Sequence, residues 1–89
     1  MSASASSAAL DLVREVLAEY IDVSNIHVAE STELVAIGVD SLTLAEMLFA
    51  LEDRVGTHVP EPSTVPTRIA DLVSLIEPYA LALRERSVA

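Results

Sequence analysis

The chain has no cysteine among its 89 residues, which excludes disulfides, thiolate metal ligands and a thiol nucleophile of its own. Stability must therefore come from packing. Aromatic residues are scarce too, at 3% of a chain that is 52% hydrophobic, so the core must be built from Ala, Val, Leu and Ile, which suits closely packed helices. No uninterrupted apolar run comes near the roughly 20 residues that cross a bilayer as a helix; the longest is LVAIGV, Leu34 to Val39. The opening MSASASSAAL has neither the basic n-region nor the apolar h-region of a secretory signal, and residues 1–6 read as a flexible, cytoplasmic N-terminus. Lysine is missing as well: all five basic residues are arginines (Arg14, Arg54, Arg68, Arg84, Arg86), against 14 acids, for a net charge of −9. Nucleic acid and anionic lipid repel such a chain, because both are bound by neutralising phosphates with Lys or Arg. Its partners are expected to be basic.

What is present points to one small helical domain. A chain of 89 residues buries only about 60 to 65% of its unfolded surface, which leaves little room for an enclosed active site, so a self-contained enzyme is not expected. The acids are unevenly spread. Between Glu30 and Glu61 seven of them face Arg54 alone, a net of −6. A soluble surface accounts for any one of these acids, but not for their clustering around a single serine.

Hydrophobic periodicity is helical along most of the chain. From Ser7, residues Leu10, Val13, Leu17, Tyr20 and Ile21 recur at spacings of three and four with Asp11, Glu15 and Glu19 opposite, which predicts an amphipathic helix to about Tyr20. Asp22 to Val39 carries Ser, Asn, Thr and Gly punctuation and no sustained period. It reads as a long loop with one turn near Thr32 to Val35, pinned to the core by Ile26, Val28, Leu34 and Ile37. From Asp40 the period returns, with Leu44, Met47, Leu48, Leu51 and Val55 in one stripe and Gly56 as the helix stop. Three prolines in THVPEPSTVPT make the next segment a connector with room for one short turn at Glu61 to Thr64. Thr67 then caps a final helix whose Ile69, Leu72, Val73, Ile76 and Leu83 face inward; Pro78 predicts a kink or restart, with the packed part ending at Glu77.

The stretch GVDSL, Gly38 to Leu42, places Asp40 and Ser41 at the junction of the long loop and the second helix. Both residues are good N-caps, and capping alone accounts for them. A serine at a helix start is also exposed, and a phosphate esterified to it would lie near the positive end of the helix dipole. With Thr32 and Leu34 upstream in the spacing T-x-L-x-x-x-G-x-D-S-L, and ALEDRVGTHVP downstream, the chain resembles the acyl carrier proteins of fatty acid and polyketide synthesis over about Leu10 to Ile76.

The resemblance implies an all-α four-helix bundle over residues 7–86, right-handed, with three long helices, one short helix and a long first loop. It implies that a phosphopantetheinyl transferase attaches 4′-phosphopantetheine to Ser41, whose hydroxyl is the acceptor and not a catalyst. It also implies that Asp40, Leu42, Ala45, Glu46, Phe49, Glu52 and Asp53 form a docking surface for acyl-loading, condensing and tailoring enzymes with basic surfaces. Each has a structural alternative: Leu42 as core, Ala45 as helix filler, and Glu46, Glu52 and Asp53 as a solvated face. Phe49 is more telling, because the chain's single phenylalanine lies off the Leu44–Leu48–Leu51–Val55 stripe. Thr43 and Arg54 stand where many fatty-acid carriers have acids, which leans the reading toward a polyketide or related specialised pathway.

Other classes remain in view. Asp40 after the single Gly38 favours an acyl carrier over a peptidyl or aryl carrier, the runner-up. A helical docking module with no modification at Ser41 would show the same acidic surface. A hydrolase using Ser41 with His27 or His58 lacks a nucleophile-elbow signature. Asp11, Glu15 and Glu19 make a wet helix face rather than a metal cage. The initial Met and short tail suggest a freestanding, monomeric cytoplasmic carrier that is not an enzyme.

Overall fold

The structure, a computed structural model, describes residues 5–88, with side chains described for residues 8–80. It contains helices α1 (Ala5–Tyr20), α2 (Ser41–Val55) and α3 (Ile69–Val88), with a short 3-10 turn at Val35–Ile37. Helix α1 begins slightly ahead of the expected Ser7 and is rich in Ala, Leu and Glu, all strong helix formers. Its buried stripe is Ala9, Val13, Val16 and Leu17, with Leu10 and Ile21 packed at the edge. Tyr20, expected to face inward, is 37% exposed. Its ring lies at the rim and its hydroxyl donates to the Glu46 carbonyl at 3.4 Å, so a polar tip keeps it out of the core.

Helix α2 follows the predicted stripe, burying Met47, Leu51 and Val55 and packing Leu44 and Leu48 against the same core. It stops where Gly56 turns left-handed (φ 78°) and its N–H closes on the Glu52 carbonyl at 2.9 Å, a conformation a side chain would strain. Helix α3 buries Ile69, Leu72, Val73 and Ile76 as expected, and packs extensively on α1. The restart expected at Pro78 does not occur, because the helix continues to Val88, and the packed part passes Glu77 to reach buried Ala80. Pro78 removes one hydrogen bond of the ladder, and burial of Ile76 and Ala80 on either side of it holds the segment helical nonetheless. Leu83, also expected inward, lies outside the residues whose side chains are described.

Of the four helices expected, the short one is only the 3-10 turn. Residues Glu61 to Thr64 bend without forming a helical turn, since Pro60, Pro62 and Pro66 withhold N–H groups and push the residues before them to extended backbone. The short helical element lies instead at Val35–Ile37, slightly beyond the turn predicted at Thr32 to Val35.

The long loop is anchored by side chains and by α3. Val28, Leu34 and Val39 are buried, and Ile26 and Ile37 pack against them. The Arg14 guanidinium on α1 donates to the Val28 carbonyl from Nη2 at 2.8 Å and Nε at 3.3 Å. A helix start leaves its first N–H groups without partners. Here the loop supplies them: Ile69 N–H donates to the Thr32 carbonyl at 2.9 Å and Ala70 N–H to the Glu30 carbonyl at 2.8 Å. In return Leu34 N–H donates to the Thr67 carbonyl at 2.9 Å, beside an isolated antiparallel bridge between Glu33 and Arg68. Thr67 does flank this start, but the Asp71 carboxylate is the acceptor, collecting the Thr67 N–H and hydroxyl and the Arg68 N–H.

Candidate functional site

Ser41 is the first residue of α2 and is exposed. Asp40, in extended backbone (φ −96°, ψ −176°), is the N-cap: its Oδ1 accepts from Thr43 N–H at 2.8 Å, and its carbonyl accepts from Leu44 N–H at 2.8 Å. The hydrogen bond from the Thr43 N–H holds the Asp40 carboxyl below its ordinary range, so Asp40 is anionic at neutral pH. With Asp40 capping, the Ser41 hydroxyl is left for other chemistry. Gly38 brings the chain to this point in a left-handed turn (φ 92°), with nothing within 4 Å of where a Cβ would lie, so backbone strain alone favours glycine there.

Five of the seven residues assigned to docking, Leu42, Ala45, Glu46, Phe49 and Asp53, share the outer face of α2. Leu42 is 69% exposed and Phe49 71% exposed, which removes both from the core. Ala45, Glu46 and Asp53 are exposed on the same side, at the three- and four-residue spacings of one helix face. Asp40 joins this face only as the N-cap at its head. Glu52 is different. Its side chain is three-quarters covered, and Oε2 accepts from Val59 N–H at 3.0 Å and lies 3.0 Å from His58 Nδ1. It pins the connector to the end of α2, rather than forming part of a freely solvated face.

Two depressions flank α2. One, of about 250 Å³, lies between α2, the connector and α3 and is lined by Leu48, Phe49, His58, Val59, Pro60 and Leu75 among others. The second, an open groove of about 550 Å³, runs from Ser41 past Leu44, Val39 and Leu34 to Val65 and Arg68. Val35, at 80% exposure, and Val65, at 74%, form apolar rims on that groove. Sequence reasoning passed over Val35, Val65 and Arg68. Loop residues have no periodicity to betray which face they occupy, and the connector's two valines, Val59 and Val65, read alike in the sequence although only Val59 is buried.

The geometry separates Ser41 from both histidines. His58 sits by Glu52 beyond the far end of α2, and His27 lies against Arg14, Val23 and Ile26, while no histidine lines the groove at Ser41. The serine–histidine pair that triad catalysis needs is therefore not assembled at Ser41. Of the acids on α1, Glu15 and Glu19 are not merely a wet face, since both pair with Arg54 of α2, Glu15 at 3.1 Å. Among the described residues no group of three or more His, Asp or Glu is placed to hold a metal ion.

Residues 11–64, more than half of the chain, match the family described as the phosphopantetheine attachment site. The acyl carrier protein of Helicobacter pylori (strain ATCC 700392 / 26695) is 33% identical over 72 residues, covering 79% of this chain and 92% of that protein. The acyl carrier proteins of Helicobacter pylori strains G27 and HPAG1 are similar to the same extent, 33% over 72 residues. No solved structure matches the chain. A helical chain with a serine exposed just after a helix cap, matched over most of its length by these carriers, belongs to the acyl carrier protein family: carriers of a covalent 4′-phosphopantetheine that serve transferases and acyl-handling enzymes and are not themselves enzymes.

Proposed function

We propose that Ser41 is the attachment point of the 4′-phosphopantetheine arm and that the chain carries acyl intermediates of a polyketide or related specialised pathway between enzymes docking on the outer face of α2. The observation that carries this reading is the exposure of Ser41 at the first position of α2, with its neighbour Asp40 already serving as the cap. The residues present fit the group: Ser41 is exposed and lines an open groove of about 550 Å³. When bound, the group supplies the terminal thiol on which the acyl cargo is held, a function no residue of this cysteine-free chain can provide.

The chain's own residues do the rest. Asp40 holds the start of α2 closed so that Ser41 points outward in a defined place. Leu42, Ala45 and Phe49 offer apolar contact along α2, and Glu46 and Asp53 offer negative charge beside it, so a basic partner is steered to the face that begins at Ser41. A tethered cargo stays at high local concentration for each enzyme docked there. The lean toward a specialised pathway rests on Thr43 and Arg54, which replace acids common in fatty-acid carriers. Arg54 pairs with Glu15 and Glu19 of α1, so its charge is offset there.

Intact-mass measurement after incubation with coenzyme A and a broad-specificity phosphopantetheinyl transferase tests the assignment. The wild type should gain one phosphopantetheine. Ser41→Ala should remain folded, losing less than about 1 kcal/mol because Asp40 keeps the cap, and should gain none. Loading of Ser41→Ala at the wild-type rate overturns the assignment.

A further inference from the structure

Attachment of the arm would place a phosphodiester, anionic at every pH at which the protein is folded, on a residue whose surroundings are mostly negative. Asp40 adjoins it and Glu33 lines the same groove. The start of α2 offers less relief than a bare helix terminus would, because the Thr43 N–H is already taken by Asp40, whose carboxylate stays ionised. A cation facing it would offset that repulsion, and among the residues whose side chains are described the groove at Ser41 holds one, Arg68. The other arginines with described side chains are occupied elsewhere, Arg14 by the Val28 carbonyl and Arg54 by Glu15 and Glu19.

Arg68 is also suitably free. Its side chain is more than half exposed and its ion pair with Glu33 is at 3.9 Å, the outer limit for such a contact, which contributes little in solvent. Its backbone is not free: Leu34 N–H on the Thr67 carbonyl, Ile69 N–H on the Thr32 carbonyl and Arg68 N–H on Asp71 fix the segment on both sides. A loosely engaged guanidinium on a rigid backbone, across an open groove from an acceptor hydroxyl, suits a planar, bidentate phosphate ligand.

We propose that Arg68 is the positioning residue for the arm: it exchanges Glu33 for the phosphodiester on Ser41 and lays the first part of the arm across the groove toward Val65. This rests on attachment at Ser41. Glu33 and Asp40 then act in opposite ways, Glu33 competing for the guanidinium and Asp40 repelling the phosphate toward it.

Nuclear magnetic resonance on the whole chain before and after loading tests this. On conversion to the loaded form at low salt, the Arg68 side-chain Nε–H resonance should move, and the movement should shrink as salt is raised. The phosphorus resonance of the loaded wild type should differ from that of a free pantetheine phosphodiester. Arg68→Gln should return it to the free position, Arg68→Lys should restore part of the difference, and Glu33→Gln should enlarge it. The wild-type comparison needs no variant, so a folding defect in Arg68→Gln cannot hide the answer. An Arg68 signal unmoved by loading, with the same phosphorus resonance in wild type and Arg68→Gln, overturns the inference while leaving Ser41 as the attachment site. Failure of the wild type to load at Ser41 overturns the attachment first and this inference with it.

Discussion

Phe49 carries a large apolar ring at 71% exposure on a helix whose buried stripe lies elsewhere, so its value lies outside the fold. Truncating a buried phenylalanine costs about 3 to 5 kcal/mol of stability. Phe49→Ala should instead leave urea or thermal unfolding within about 1 kcal/mol of wild type, and should weaken a docked transferase or acyl-handling enzyme by about 1 to 3 kcal/mol, chiefly through faster dissociation. Unchanged partner kinetics with a large loss of stability would remove it from the docking face. Glu52 behaves oppositely among the same set of residues. Because its carboxylate holds Val59 N–H and contacts His58, Glu52→Ala should cost about 1 to 2 kcal/mol and speed hydrogen exchange at the Val59 amide. Persistent protection of that amide in the variant would show that the connector is held by Val59 burial alone.

At the scale of elements, the start of α3 is braced from both sides, with the Ile69 and Ala70 N–H groups satisfied by the long loop and the Asp71 carboxylate accepting from the Thr67 and Arg68 N–H groups just ahead of the helix. Hydrogen bonds from Thr67 N–H first, and then Arg68 N–H, lower the Asp71 pKa in the folded state. A folded pKa below the unfolded one means that the unfolded chain binds the proton more readily, so stability rises with pH through this range. The contribution is complete above the unfolded carboxylate pKa of about 4 and is lost as pH falls through the folded value. Asp71→Asn should therefore flatten the acid side of the stability profile below about pH 4, as read from unfolding midpoints across pH. An unaltered acid slope would mean that other carboxylates set it; Asp40 and Asp22 are depressed in the same direction by their own hydrogen bonds.

For the whole molecule, charge is organised by use. Arg14 and Arg54 brace the bundle, Arg14 onto the loop and Arg54 across to α1, while Glu46 and Asp53 stay exposed on α2. The exposed acids are left to set long-range behaviour. Association with a basic partner should slow as ionic strength rises, because exposed charges are screened within about 8 to 10 Å. Glu46→Arg should slow it further at low salt, by about 3- to 30-fold, and converge toward wild type at high salt. The fold should tolerate this change, since Tyr20 donates to the backbone carbonyl of Glu46 and not to its side chain. Rates insensitive to both salt and the reversal, measured by stopped flow, would assign recognition to the apolar residues.

Much of this was legible in the sequence because it is local. The limits of α2 follow from an Asp cap three residues before the N–H it binds, and a glycine stop four residues after the carbonyl it closes on, and both effects act within one turn. The stripes of α2 and α3 follow from helical periodicity, and Ser41 is exposed because a helix start at the end of a loop is solvated. What is not local had to await the tertiary structure. Arg54 meets Glu15 and Glu19 from 39 and 35 residues away, and Glu52, assigned to the docking face, also anchors the connector because Val59 folds back onto it. Pro78 stays helical because burial on either side outweighs a local penalty of about 3 kcal/mol, a balance that sequence spacing cannot weigh. The groove that joins Ser41 to Val65 and Arg68 forms where the loop and the connector hydrogen-bond at the start of α3, so the sequence by itself placed Ser41 at a helix start, while packing alone decided what faces it.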